Sequence, residues 1–237
     1  MKLNARENRK GISIALIVIA CWGINLSIAL QWEIDWAHPL TYLLFFLQAH
    51  LYTGLFITAH DAMHGVVSSN QKINHGLGRL CATLFAFNFY GNLFRKHHLH
   101  HQHVATDEDP DYHHGSFWPW YWSFTKQYVN LWQVLLMAVT FNLLILVFPE
   151  PNVLLYWAIP SIVATFQLFY FGTYIPHRGE HAPEDKYKSK SLPLNHVKAF
   201  LTCYFFGYHY EHHASPGTPW WKLYEVKERS EAEFRQR

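Results

Sequence analysis

Residues 36–60 read WAHPLTYLLFFLQAHLYTGLFITAH, an unbroken run without Asp, Glu, Lys or Arg that closes on a histidine. A soluble core helix is usually shorter and keeps its apolar residues on one stripe, whereas this run is apolar around its whole circumference. A bilayer core takes about 20 helical residues, so the run reads as a membrane span. Three more stretches have the same character, Gly11–Trp32, Gln127–Pro149 and Pro151–His177. The mean hydropathy of −0.07 hides them because the charged and histidine-rich remainder cancels their contribution. The expectation is an all-α integral membrane protein, one domain over residues 1–237, with four transmembrane helices at about 11–32, 37–60, 127–148 and 152–176.

Orientation follows from the basic residues, which collect on cytoplasmic flanks. Lys2, Arg6, Arg9 and Lys10 precede the first span, while the turns at 31–39 and 148–152 hold no Lys or Arg. All 19 basic residues therefore fall on one side, which places both termini, residues 61–126 and the tail after His177 in the cytoplasm of a multi-pass protein. Val18-Ile19-Ala20-Cys21 resembles a lipoprotein-processing site, yet the apolar run continues to Leu30, so a membrane helix is favoured over a cleaved leader. Leu77–Phe94 is too polar to span and reads as a helix lying in or dipping into the interface. Pro160 is expected to kink the fourth span.

Composition removes whole classes of function. A net charge of +2 is too balanced for a nucleic-acid binder, and half the residues being apolar excludes disorder. Cys21, Cys81 and Cys203 are odd in number, distant and without C-x-x-C spacing, which excludes a disulfide framework and a thiolate metal site.

The 18 histidines carry the chemistry. His60 and His64 form H-x-x-x-H at the cytoplasmic end of the second span. His97, His100 and His101 form H-x-x-H-H, His209, His212 and His213 repeat it, and His177 closes the fourth span. On a helix, i, i+3 and i+4 share a face, so these nine imidazoles project from one end of the bundle. Neutral imidazole is the commonest metal ligand, and nine of them are better divided between two ions than given to one. Without H-E-x-x-H, Glu-x-x-His or a one- or two-ligand axial pattern, the zinc protease, ferritin-like and haem readings fail.

The other histidines are expected elsewhere. His98 is rotated about 100° from His97 and His50 lies about three turns below His60. His103 and His181 are possible extensions of the clusters, while His38, His75, His113, His114 and His196 sit in loops. Asp61, Asp107, Asp109, Asp111 and Glu211 are candidates to orient ligand rings through their second N–H. Trp118, Trp120, Tyr121 and Trp122 are candidates for interfacial anchoring or for lining a tunnel.

These motifs resemble those of the histidine-rich diiron oxygenases of the membrane fatty-acid desaturase and hydroxylase superfamily, and within it the bacterial and cyanobacterial β-carotene ketolases. The resemblance rests on LYTGLFITAHDAMHG at 51–65, HHLHHQH at 97–103 with TDEDPDY at 106–112, FYFGTYIPH at 169–177, and FGYHYEHH at 206–213 with PWWKL at 219–223. Phe205 stands where that family often has histidine, and Tyr224 where a proline commonly follows the leucine. The resemblance implies two non-haem iron ions (Fe2+) held by the nine histidines as a cytoplasmic cap, dioxygen as co-substrate, and electrons from a ferredoxin-type donor. It also implies a carotenoid drawn from a bacterial cytoplasmic or cyanobacterial membrane, whose C4 ring methylenes are hydroxylated twice and dehydrated to ketones, giving echinenone and then canthaxanthin. Carotenoid hydroxylases and acyl-lipid desaturases share this histidine spacing and are the alternatives, and a non-redox membrane metal carrier or sensor using the same imidazoles is the least favoured reading.

Overall fold

The computed structural model describes residues 3–235, so Lys2 and Arg237, counted above among the basic residues, lie outside them. Among the described residues the chain is helical, with no strand. Three helices are long and apolar enough to cross a membrane: α1 (Ala5–Gln31), α2 (Pro39–Met63) and α7 (Glu150–His177). A capping box starts α1, the Asn4 side chain accepting from the N–H of Arg6 and Glu7 while Glu7 accepts from the Asn4 N–H, which satisfies donors that a helix start leaves orphaned. Pro39 opens α2, where a missing N–H costs nothing.

Polar side chains buried among apolar neighbours fasten the three together. Asn25 of α1 donates to Gln48 Oε1 of α2 at 2.7 Å. Asn152 of α7 donates to the carbonyls of Ala29 and Trp32 at 3.0 and 2.6 Å, tying the far ends of α1 and α7. The Tyr52 hydroxyl donates to the Trp157 carbonyl at 3.1 Å. With no water competing, each such bond fixes register as well as adding stability.

Within α7 the expected effect of Pro160 takes a specific form. The Ile159 N–H bonds Leu154 O, and the Ile175 N–H bonds Tyr170 O, each five residues back. Both wide turns stand immediately before a proline, Pro160 and Pro176. Proline lacks an N–H and crowds the carbonyl four residues before it, and an extra residue in the turn relieves that crowding.

Residues 77–94 form parts of two helices, α3 (Gln71–Leu84) and α4 (Tyr90–Gln102), where a single one was expected. The linker turns on Ala86 and Phe87, both left-handed at φ 53° and 56°, and its Phe85 ring meets Tyr52 and Phe56. Tyr52 lies eight residues below His60, so the hairpin dips by about 12 Å. Gly78 permits the close crossing: a Cβ there would stand 2.7 Å from Ala62 Cβ.

The third apolar stretch also differs from expectation. Residues 127–148 contain α6 (Leu131–Leu144), preceded by a separate helix α5 (Phe117–Tyr128). The break falls at Val129–Asn130, where the Asn130 side chain caps the new helix by accepting from Gln133 N. Fourteen residues span about 21 Å, short of the roughly 30 Å of a hydrocarbon core. The chain after α7 returns through α8 (His196–Cys203), α9 (His209–Ala214) and α10 (Leu223–Arg235). Tyr204 and Phe205, left-handed at φ 48° and 62°, reverse the chain between α8 and α9. Phe205 packs against Tyr208, Trp220 and Tyr224.

Candidate metal centre

The nine boxed histidines converge at the shared end of α2, α4, α7 and α9 as two groups. His60, His64, His97, His101 and His212 form one, His100, His177, His209 and His213 the other, with the ligating atoms of each group within 4.8 Å of one another. The partition follows helical phase. In α4 the i, i+4 pair His97 and His101 enters the first group while the i+3 residue His100 enters the second; in α9 His209 and His213 pair in the second group while His212 enters the first.

The spacing is that of ligands around an ion. An imidazole nitrogen sits about 2.1 Å from a first-row metal, so two ligands at right angles are about 3.0 Å apart. The ring nitrogens of His209 and His177 are 3.0 Å apart, His213 and His209 3.0 Å, His100 and His213 3.2 Å, and His101 and His212 3.1 Å. Neutral rings by themselves cannot satisfy the second group. His177 Nδ1 faces the Lys188 carbonyl at 2.8 Å, which only accepts, so in the neutral ring Nε2 is a bare lone pair. His100 Nδ1 faces the Asp109 carboxylate at 2.9 Å, which leaves its Nε2 bare as well. Three contacts in series then need one proton each, which would require an N–H on both His209 and His213 and would set those two N–H groups head to head. A cation resolves all three contacts. In the first group His60 has no hydrogen-bond partner at either ring nitrogen.

Burial pushes His97, His209, His212 and His213 well below the ordinary histidine range, and the neighbouring imidazoles push them further. Burial likewise takes His64 down to about 3. These rings are neutral at physiological pH, the form that ligates. His100 is the exception: burial lowers it, but the hydrogen bond and charge of Asp109 and the charge of Asp111 outweigh burial and raise it.

The five acids expected to orient ligands behave differently. Asp109, buried, holds His100 while accepting the backbone N–H of Ala105 and Asp111, each at 2.9 Å. Asp61 accepts from Trp220 N at 2.9 Å and lies 3.5 Å from His60 Nδ1. Asp111 lies 4.0 Å from His100 and accepts the Tyr128 hydroxyl; burial pushes its carboxyl up to about 6. Glu211 touches no ligand nitrogen; it accepts from Ser191 and pairs with buried Lys227 at 3.3 Å. Asp107 is on the surface beside His114.

The remaining histidines stay outside both groups. His98 Nδ1 bonds the Phe94 carbonyl, His103 pairs with Glu108, and His181 lies between the His177 carbonyl and Asp185. His50 stacks on Tyr204, His38 caps α2, His75 meets the Tyr90 hydroxyl, and His196 meets Tyr208 and Glu228. His113 accepts from the Gly115 N–H. Sequence reasoning passed over Lys188, Ser191, Lys227 and Tyr128, for a backbone carbonyl and a lone serine, lysine or tyrosine carry no spacing signal.

A cavity opens beside the groups, with His60 and His97 from the first and His100 and His209 from the second in its wall. Its remaining lining is mostly apolar, with Phe56, Phe85, Leu168 and Phe206 prominent. Of the four expected tunnel aromatics none lines it: Trp118 and Trp122 are exposed at 66% and 62%, Trp120 is buried with its N–H on the Asp111 carbonyl, and Tyr121 packs on Phe166 and Phe169.

The model of the family described as Fatty acid desaturase matches residues 37–142 and 117–237. A protein named Beta-carotene ketolase from Haematococcus lacustris is 36% identical over 92% of this chain and 78% of its own length. One of the same name from Paracoccus sp. is 39% identical over 87% of each chain. A Zeaxanthin 4-ketolase from Chlamydomonas reinhardtii is 39% identical over 92% of this chain and 53% of its own.

Proposed function

We propose that this chain, which belongs to the fatty acid desaturase family, is a membrane oxygenase that converts the C4 methylene of the β-ionone rings of β-carotene to a ketone, one ring and then the other. The observation that carries this reading is the apolar cavity walled by imidazoles of both groups, in a chain alignable over most of its length with proteins named as ketolases. A metal carrier wants ligands staggered along a path, whereas these nine gather in two adjoining groups.

His60, His64, His97, His101 and His212 would hold one iron ion and His100, His177, His209 and His213 the other. Two bound ferrous ions would supply the reduction of dioxygen and the oxidation of the substrate C–H bonds. The protein does the rest. Asp109 and the Lys188 carbonyl each take an Nδ1–H and aim the Nε2 lone pairs of His100 and His177 inward. Phe206 packs its ring on His60, His209 and His212 and excludes water from the cavity end where the ring methylene must sit. Tyr128 tethers Asp111 by donating to it, which holds that wall in place. The C4 hydrogens neighbour a double bond and are weakened. Two rounds of hydroxylation at C4 give a gem-diol that loses water to the ketone, so each methylene consumes two dioxygen molecules, four electrons and four protons and releases three waters. A ferredoxin-type donor supplies the electrons.

Four crossings with both termini cytoplasmic fit this arrangement. Supporting this, the Gln133 side chain donates to Ala86 O at the tip of the α3–α4 dip; with that tip in the bilayer, α6 would start inside it and its 14 residues would complete a crossing.

Expression in a bacterial host that accumulates β-carotene tests the activity. Pigments heavier by fourteen and then twenty-eight mass units, and redder, are expected. A gain of sixteen units per ring without colour change establishes a hydroxylase, and unchanged pigment with altered fatty-acid unsaturation a desaturase.

A further inference from the structure

The cavity wall away from the imidazoles carries a polar atom that the reaction above does not use. Among the described residues, eight buried side-chain nitrogen and oxygen atoms have no hydrogen-bond partner in the protein. Three belong to His60 and His209; of the other five, only Gln133 Oε1 belongs to a residue lining the cavity. Gln133 is 6% exposed, and its amide cannot turn over, because Nε2 donates to Ala86 O at 2.8 Å and a flip would set two carbonyl oxygens together. Nearby polar groups are already engaged: Thr125 donates to Tyr121 O at 2.8 Å and Thr165 to Ser161 O at 2.9 Å. A buried carbonyl oxygen left without a donor is costly, and a hydrocarbon ring has none to give.

We propose that Gln133 is a specificity-determining residue whose Oε1 accepts the hydroxyl of a hydroxylated β-ionone ring, so that this chain favours hydroxylated over plain rings. The inference rests on the ketolase reading. The hydroxyl-bearing carbon adjoins the reacting methylene, so a ring that presents C4 to the histidines holds its hydroxyl inside the same cavity. Gln133, held by its Nε2 bond to Ala86 O, keeps an unpartnered acceptor in the cavity's lining, which the hydroxyl meets once the ring is seated.

The test supplies β-carotene and zeaxanthin, which bears one hydroxyl on each ring, in equal amounts to iron-loaded full-length protein with reductant, and quantifies the ketolated products of each by mass. Competition in one vessel cancels differences in the amount of folded enzyme. One neutral hydrogen bond predicts a wild-type preference for zeaxanthin of about three- to tenfold. Gln133→Met, apolar and of similar volume, brings the ratio to about one. Gln133→Glu, protonated when buried, can donate to Ala86 O and keep an acceptor, and retains the preference. A wild-type ratio of one or below, or a ratio unchanged in Gln133→Met, overturns the assignment and leaves the ketolase reading intact. Failure of the wild type to ketolate either pigment overturns the ketolase reading and this assignment with it.

Discussion

Replacing Asp109 by Asn removes one charge and one acceptor from the support of a single imidazole group. The carboxylate takes His100 Nδ1–H at 2.9 Å and two backbone N–H groups, Ala105 on one oxygen and Asp111 on the other. An amide offers one oxygen where two are needed, so in either orientation its NH2 faces a backbone N–H. Leaving that buried donor unpaired costs about 1–3 kcal/mol. Loss of such an outer partner lowers metal affinity about 10–100-fold, or roughly 1.4–2.8 kcal/mol. Purified Asp109→Asn protein, titrated with an iron chelator and assayed for iron by elemental mass spectrometry, is expected to fall from about two ions towards about one, as the second group empties first. Asp107→Asn is the control, since Asp107 is 94% exposed on its side chain and touches neither group. Identical chelation curves for wild type and both variants would refute the reasoning.

Replacing His97 by Ala should abolish ketolation and replacing His98 by Ala should leave most of it, as measured by pigment yield, because His97 reaches the first group and His98 bonds the Phe94 carbonyl. Lys227→Met strips buried Glu211 of its cation and should cost about 3 kcal/mol, seen as a melting temperature lower by about 6–12 °C. Burial lowers the Lys227 pKa, but its bonds to Glu231 and Glu211 outweigh burial and raise it. The stability this pair contributes is therefore complete below the unfolded lysine value of about 10.4 and is lost only as pH rises through the higher folded value, which alkaline thermal melts will show. Reporter fusions after Leu30 and Phe148 should score external and those after His64 and Arg237 cytoplasmic; an external score after His64 would remove the shared cytoplasmic site.

How much of this was legible follows from what each signal depends on. Membrane helices α1, α2 and α7 were readable because lipid solvation imposes apolarity on every face, a local property of the chain. The break at Val129–Asn130 was not, since the run Gln127 to Pro149 satisfies the same composition whether the helix is continuous or not; only the Asn130 cap and the Gln133 bond to the α3–α4 hairpin fix it. Eight histidines were selected by helical phase and His177 by its place at the end of the fourth span, and the structure brings those nine together. Their division into five and four depends on how α4 and α9 face one another, which spacing within each helix does not encode. Asp109 and Asp107 are indistinguishable in the string TDEDPDY, and the turn after α4 alone decides which of them points inward. Of the two readings of the α5 aromatics, anchoring rather than tunnel lining fits: its tryptophans alternate between exposed surface and core, while the cavity takes its rings from α2, the α3–α4 hairpin, Phe124 and Tyr128 of α5, and the α8–α9 turn.

The most direct measurement is anomalous scattering at the iron absorption edge from crystals of the full-length protein loaded with ferrous iron. Two iron peaks are predicted, one within bonding distance of His60, His64, His97, His101 and His212 and the other of His100, His177, His209 and His213. A single peak, or iron bound away from both groups, would contradict it.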